Sequence, residues 1–231
     1  MITRVINSIE FDINEYESNE IYLNENDYIK TNNGDLDSIL EMFWGKKHIF
    51  LPLSMTWELT DNCNFECPFC YIHDKNRSDK YEWKYRFKNM KAIIDFLIEK
   101  GLFICYLTGG ECLTHPDFVK IYKYLKKRGV LVVILTNASL LYAEHFKLFS
   151  EYKPYKIEVS IYDTKYTYSK ESVKDASNVL SNVVMLKEKG INVVAKMPIN
   201  FWTKGSFDRV RYWTEKNKIP FYFSNELFDK Y

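Results

Sequence analysis

The sequence predicts an α/β fold, a partial (β/α)6 TIM-like barrel. Apolar strand-like runs alternate with amphipathic helical stretches, six runs in all, and three of the helical stretches stop in the same way. The stops are Lys100-Gly101-Leu102-Phe103-Ile104, Arg128-Gly129-Val130-Leu131-Val132 and Lys189-Gly190-Ile191-Asn192-Val193. Glycine suits the left-handed residue just past a helix, and the cation suits the helix's negative end. Behind the stops, Phe87, Met90, Ile93, Ile94 and Leu97 recur at helical spacing. So do Phe118, Ile121, Tyr122 and Leu125, and then Leu180, Val183, Val184 and the stem of Lys187. Strands are expected near 53–60, 103–107, 130–135, 156–161, 192–197 and 219–223. Their mostly continuous apolar runs suggest burial on both faces of a parallel sheet. Strand–helix alternation implies right-handed crossovers, and six strands with five helices between them make a partial barrel over residues 49–231.

Residues 1–48 differ in character. Acidic and Asn-rich stretches flank Ile21-Tyr22-Leu23 and Tyr28-Ile29-Lys30, with Asn24-Glu25-Asn26-Asp27 between them. This reads as a β-hairpin followed by a short helix from about Asp35 to Phe43, capped by Asp35 or Asp37, and forms a small N-terminal appendage.

At 231 residues the chain can bury one sizeable core, and 46% hydrophobic with 27% charged residues suits a folded soluble protein. A net charge of +1 gives no pointer to nucleic acid or an anionic membrane. The longest apolar run, Val130 to Leu135, is too short to span a bilayer, and the N-terminus lacks the pattern of a signal peptide. Five cysteines, three of them clustered, do not read as a secreted disulfide framework, so a cytoplasmic protein is expected. Aromatic residues reach 17%, including 18 Tyr and 16 Phe. They serve either a Tyr-rich core and surface or a ligand-facing wall.

The chemistry is concentrated just after the first strand, in Asp61-Asn62-Cys63-Asn64-Phe65-Glu66-Cys67-Pro68-Phe69-Cys70-Tyr71. Loops at the C-terminal ends of barrel strands are where such folds do chemistry. Three thiolates from one short loop can hold one corner of an iron–sulfur cubane. Such clusters usually take four cysteines, so a missing fourth leaves an iron open. Zinc is the competing reading, with His73 as a fourth ligand. The second motif, Tyr106-Leu107-Thr108-Gly109-Gly110-Glu111, follows the second strand. Its glycines let backbone come close to a ligand, and its carboxylate can accept from an ammonium.

C-x3-C-x2-C after the first strand, with Phe69 before the third cysteine and Gly-Gly-Glu after the second strand, resembles the radical S-adenosylmethionine (SAM) superfamily. The likeness continues through Leu113-Thr114-His115-Pro116-Asp117-Phe118, Thr136-Asn137 and Glu158-Val159-Ser160-Ile161-Tyr162. It is similar to the SPASM and twitch branch, which includes peptide-modifying enzymes and sulfatase maturases. The resemblance implies a [4Fe–4S] cluster on Cys63, Cys67 and Cys70, with SAM chelating the fourth iron. It further implies Phe69 near adenine, Gly109, Gly110 and Glu111 at the methionine amino group, and Ser160 at ribose or carboxylate. Asn137 lies near the cofactor, and Lys196 either reaches the carboxylate or stays at the solvated edge. The implied reaction is one-electron reduction of SAM to methionine and a 5′-deoxyadenosyl radical that abstracts hydrogen from substrate. The electron donor would be a flavodoxin or ferredoxin.

The pattern is broken in places. Cys112 stands where many relatives have Pro, and it reads as a tolerated replacement. Cys105 reads as a buried small hydrophobe, and His115 as a residue positioning its turn. SPASM relatives carry a C-terminal cysteine-rich extension, whereas no cysteine follows Cys112 here. Either that extension is missing or the sequence is a piece of a longer protein. A partner chain could cover the barrel edge left open by the sixth strand. The appendage could be a remnant of a peptide-binding winged-helix module, and Tyr81-Glu82-Trp83-Lys84-Tyr85 either walls a substrate channel or packs on the first helix. The leading expectation is maturation of a ribosomal peptide side chain. A sulfatase-maturase-like or small-molecule radical enzyme is the alternative, followed by a non-catalytic iron–sulfur or zinc scaffold.

Overall fold

The computed structural model describes residues 54–70, 86–99, 101–170 and 175–224. The N-terminal appendage, His73 and the aromatic segment 81–85 lie outside the described residues. The strands are β1 (Ser54–Glu58), β2 (Ile104–Thr108), β3 (Leu131–Thr136), β4 (Lys156–Ser160), β5 (Val193–Pro198) and β6 (Phe221–Ser224). Between them run α1 (Phe87–Glu99), α2 (Phe118–Lys127), α3 (Ala143–Glu151), α4 (Ser177–Glu188) and α5 (Phe207–Lys216). Every strand boundary falls within two residues of its expected place. All six strands pair in parallel in one sheet, in chain order from β1 to β6.

When every strand pairs with its successor, right-handed crossovers put all the helices on one face. The burial pattern shows this. Met55, Trp57, Cys105, Leu107, Val132, Ile134, Ile157, Val159, Ala195 and Met197 are buried in one core with the helices. Their neighbours in sequence, among them Thr56, Glu58, Tyr106, Thr108, Leu135 and Ser160, are only half-buried, and Lys196 and Tyr222 are exposed. The expected burial on both faces is therefore corrected. The helix face is dry, while the inner face is mixed and partly open, as a barrel lumen that admits a ligand must be.

The helix stops behave as expected: Gly129 and Gly190 hold φ of 80° and 68°. In α2 the anticipated stripe is the core, with Phe118, Ile121, Tyr122 and Leu125 buried. Each such burial contributes about 1.5–3 kcal/mol, and the Tyr122 hydroxyl donates to the Tyr152 carbonyl. The face of α4 is turned from the expected one. Val179, Asn182, Val183 and Leu186 point inward, while Leu180 and Val184 are half-buried beside Met185 and Trp213. Asn182 is tolerated inside because its Nδ2 donates to the Ala138 carbonyl at 2.8 Å. Lys187 is spent on the Asn217 carbonyl. At the far edge, β6 leaves Tyr222 59% and Phe223 53% exposed.

Candidate active site

The three cysteines sit on the loop leaving β1, at the C-terminal end of the sheet. Cys67 is buried and Cys63 and Cys70 are half-buried. The loop is turned by its own bonds: the Cys70 N–H donates to the Cys67 carbonyl at 3.0 Å, and the Phe65 N–H to Cys63 Sγ at 3.4 Å. Burial pushes the Cys63 thiol up to about 11, against the lowering effect of that N–H, and Glu111 and Cys70 add to the rise. Burial, then Cys70 and Cys63, raise Cys67 further above the usual thiol range. The thiols thus feel one another. Among the described residues no three His, Cys, Asp or Glu side chains converge closely enough for a single metal ion. A zinc ion draws its thiolates to about 2.3 Å from one point, whereas a four-iron cluster takes each thiolate on a separate iron. Three thiols carried by one short loop suit such a cluster, each thiolate taking one iron.

The Gly-Gly-Glu turn after β2 is locked to this loop. A Cβ on Gly109, whose φ is 133°, would stand 2.3 Å from the Thr60 carbonyl oxygen, and one on Gly110 would stand 2.4 Å from that of Asn62. The Gly110 N–H donates to the Thr60 carbonyl at 2.7 Å and the Glu111 N–H to that of Asn62 at 2.8 Å. The close approach read from these glycines is made, in the first instance, to the cysteine loop itself. Glu111 is 1% exposed. Its Oε1 accepts from Thr136 Oγ1 at 2.7 Å and the Leu113 N–H at 3.1 Å, and its Oε2 from the Asn137 N–H at 2.7 Å. Burial raises its carboxyl pKa despite these donors. The side chain read as a receptor for an ammonium also braces the ends of β2 and β3.

Asn137 closes a ring with the cysteine loop. Its Nδ2 donates to Asn64 Oδ1 at 2.9 Å, Asn64 Nδ2 donates to Ser139 Oγ at 2.8 Å, and Ser139 Oγ donates to Asn137 Oδ1 at 2.6 Å. Ala138, between them, is held at a φ of 58°. The cost of that backbone, about 1–3 kcal/mol, is offset by its N–H on Thr136 Oγ1 at 2.9 Å and by Asn182 on its carbonyl.

Ser160 ends β4 on the inner face, in register with Lys196. On the same face Glu158 takes Lys156 at 2.6 Å and Lys196 at 2.5 Å, so the ammonium of Lys196 sits on Glu158. Phe69 packs edge-on against Tyr162 and Tyr168, with ring centres 5.0 and 5.5 Å away. Cys112 is buried with its thiol on the Leu135 carbonyl at 3.3 Å, Cys105 is buried in β2, and His115 Nδ1 accepts the Asp117 N–H at 3.2 Å. All three are buried. Sequence reasoning missed the residues after β4. The Glu66 N–H donates to the Tyr168 carbonyl at 2.7 Å and the Lys170 N–H to that of Asn64 at 2.9 Å, around a bridge between Phe65 and Ser169. No residue type in that segment announces such a pairing.

The fold and the site together define a one-sided parallel barrel with a three-thiol loop at its mouth. Residues 57–203 match the radical SAM superfamily, and the chain belongs to it. The cofactors of that family are a [4Fe–4S] cluster and SAM. The chain is 34% identical over 117 residues to the antilisterial bacteriocin subtilosin biosynthesis protein AlbA of Bacillus subtilis, covering 51% of this chain and 25% of AlbA. It is 27% identical over 168 residues to the Fe-coproporphyrin III synthase of Methanosarcina barkeri, covering 72% of this chain and 42% of the synthase. Streptococcus suis SuiB bound to S-adenosylmethionine shares the fold at a TM-score of 0.62 with 18% identity, over 96% of this chain and 49% of SuiB. The chain therefore spans half or less of the length of these relatives. Among the described residues no helix is long and apolar enough to cross a membrane.

Proposed function

We propose that this chain is the cofactor-binding barrel of a cytoplasmic radical SAM enzyme that modifies a peptide side chain during ribosomal peptide maturation. The observation that carries this reading is the three-thiol loop pinned at the mouth of the barrel by the Gly109–Gly110 turn. Cys63, Cys67 and Cys70 would hold the cluster, leaving one iron for SAM. When bound, these cofactors supply one-electron cleavage of SAM to methionine and a 5′-deoxyadenosyl fragment that takes a hydrogen atom from substrate. The chain's residues bind and orient. Backbone around Phe69 would flank adenine, the turn at Gly109 and Gly110 would meet the amino group, and Ser160 would face ribose or carboxylate. Glu111 and Asn137 act one step back, holding those loops in place. A flavodoxin or ferredoxin would deliver the electron, and the exposed Tyr222 and Phe223 side chains of β6 offer a surface for a partner chain.

Similarity to the subtilosin protein supports a peptide substrate, as does the likeness of fold to SuiB, which has also been solved bound to precursor peptide SuiA. The longer match to the coproporphyrin synthase favours, as second reading, a small-molecule substrate. The test is anaerobic reconstitution followed by SAM and dithionite. Release of 5′-deoxyadenosine is expected, accelerated by a precursor peptide encoded beside the gene. Acceleration by a porphyrin instead would select the second reading, and an inert metal-bound protein would refute both.

A further inference from the structure

The segment from Tyr162 to Lys170 is long for a connection out of β4, and it does not simply lead to α4. It runs back across the cysteine loop. Two backbone bonds tie it there, from the Glu66 N–H to the Tyr168 carbonyl at 2.7 Å and from the Lys170 N–H to the Asn64 carbonyl at 2.9 Å. They flank the antiparallel bridge of Phe65 and Ser169. The acceptor Asn64 and the donor Glu66 lie between Cys63 and Cys67, so the pairing fixes the part of the loop that spaces the first two thiols.

The same segment brings aromatic cover. Tyr162 and Tyr168 meet the Phe69 ring edge-on, their own centres are 5.9 Å apart, and Tyr166 packs edge-on to Tyr168 at 5.8 Å. Phe69 directly precedes Cys70, so packing on its ring bears on the position of the third thiol. The foot of the segment is anchored firmly. Asp163, buried, takes Arg209 Nη2 at 2.5 Å, Arg209 Nε at 3.2 Å and the Lys165 N–H at 3.0 Å. Ser206 Oγ donates to the Tyr162 carbonyl. A chain fixed at its foot and paired along its length has little freedom to leave the loop it covers.

We propose that residues 162–170 form a strap that holds the cysteine loop in its cluster-binding shape and, through the rings of Tyr162 and Tyr168, screens the cluster from water and oxygen. This rests on the cluster reading above. Tyr162 and Tyr168 are positioning residues, acting through packing on Phe69. Solvent exposure and the shell around a cluster govern its lability.

The test uses the full chain, reconstituted anaerobically and then exposed to air or to an iron chelator, with visible absorbance and released iron followed over time. In Tyr168→Ala and Tyr162→Ala the cluster is expected to decay roughly tenfold faster than in wild type, whereas Tyr168→Phe and Tyr162→Phe stay within about twofold. Lys170→Pro removes the N–H on Asn64 without touching an aromatic ring, and is expected to speed decay where Lys170→Ala does not. That backbone pair keeps the proposal testable should an alanine variant of either tyrosine fail to fold. Uptake and decay at wild-type rates in the Ala and Pro variants alike would overturn the strap while leaving the cluster reading intact. A wild-type chain that takes up no iron would overturn the cluster reading and the strap with it.

Discussion

The two sides of the barrel mouth are built differently. Over β1 to β4 each loop is bonded to the next: Gly110 to Thr60, Glu111 to Thr136 and Asn137, and Asn64 to Asn137 and Ser139, with the strap closing the circle. Over β5 and β6 the aromatic side chains face solvent, with Phe201 72% and Trp202 51% exposed. That second rim is not loose in its backbone. Asn200 Oδ1 accepts from the N–H groups of Trp202 and Thr203 at 2.9 and 3.1 Å, presenting the aromatic pair on a fixed turn. The contrast matches two tasks. A cofactor that must be held in one geometry needs loops that over-determine each other, while a surface that meets a substrate or another chain needs exposed apolar area.

Substitutions can break or sharpen this contrast. The largest effect is expected at Gly110→Ala, because its Cβ would stand 2.4 Å from the Asn62 carbonyl oxygen and 2.7 Å from that of Asp61. Both contacts are backbone, and no side chain can yield to relieve them. A loss of about 3 kcal/mol or more is therefore expected, with failed iron uptake. Gly205→Ala, on the other rim, meets nothing within 4 Å. It should leave stability unchanged or raise it by up to about 1 kcal/mol. Chemical denaturation of the two variants checks both, and equal losses would erase the contrast. Next comes Asn137→Ala, which leaves Asn64 Oδ1 without its donor and the Ser139 hydroxyl and N–H without their acceptor, and should cost about 1–3 kcal/mol, read in the same denaturation experiment.

Asp163 ties the strap to α5, and its effect depends on pH. Burial opposes its ionisation, but Arg209 and the Lys165 N–H outweigh burial and hold its pKa below the usual carboxylate value. The stability it contributes is therefore present above the unfolded pKa of about 3.9 and lost as pH falls through the lower folded one. Thermal melts from neutral to acid pH should show wild type losing stability in that range, with a flatter acid limb in Asp163→Asn. The smallest effect is expected for Phe201→Ser with Trp202→Ser, under about 0.5 kcal/mol by denaturation, since solvated side chains contribute little.

Much of this was legible in the sequence, for physical reasons. Helix stops and apolar periodicity are local, so the strands and the stripe of α2 fell where they were expected. The three cysteines and the Gly-Gly-Glu turn are local as well. What was not legible is set by pairing across the fold. The half-open inner face follows from every crossover lying on one side, and the turned face of α4 follows from Asn182 reaching the Ala138 carbonyl. The roles of Glu111 and Asn137 as braces, and the strap itself, depend on partners 26, 73 and more than 100 residues away in the chain. Spacing within one segment carries no trace of such partners.

The most direct measurement is X-ray absorption at the iron and zinc edges on the anaerobically purified protein, with and without SAM. About four irons per chain in a sulfur environment, with an iron spectrum that changes when SAM is added, is the predicted result. Tetrahedral zinc on the three thiols, with no iron bound, would contradict it.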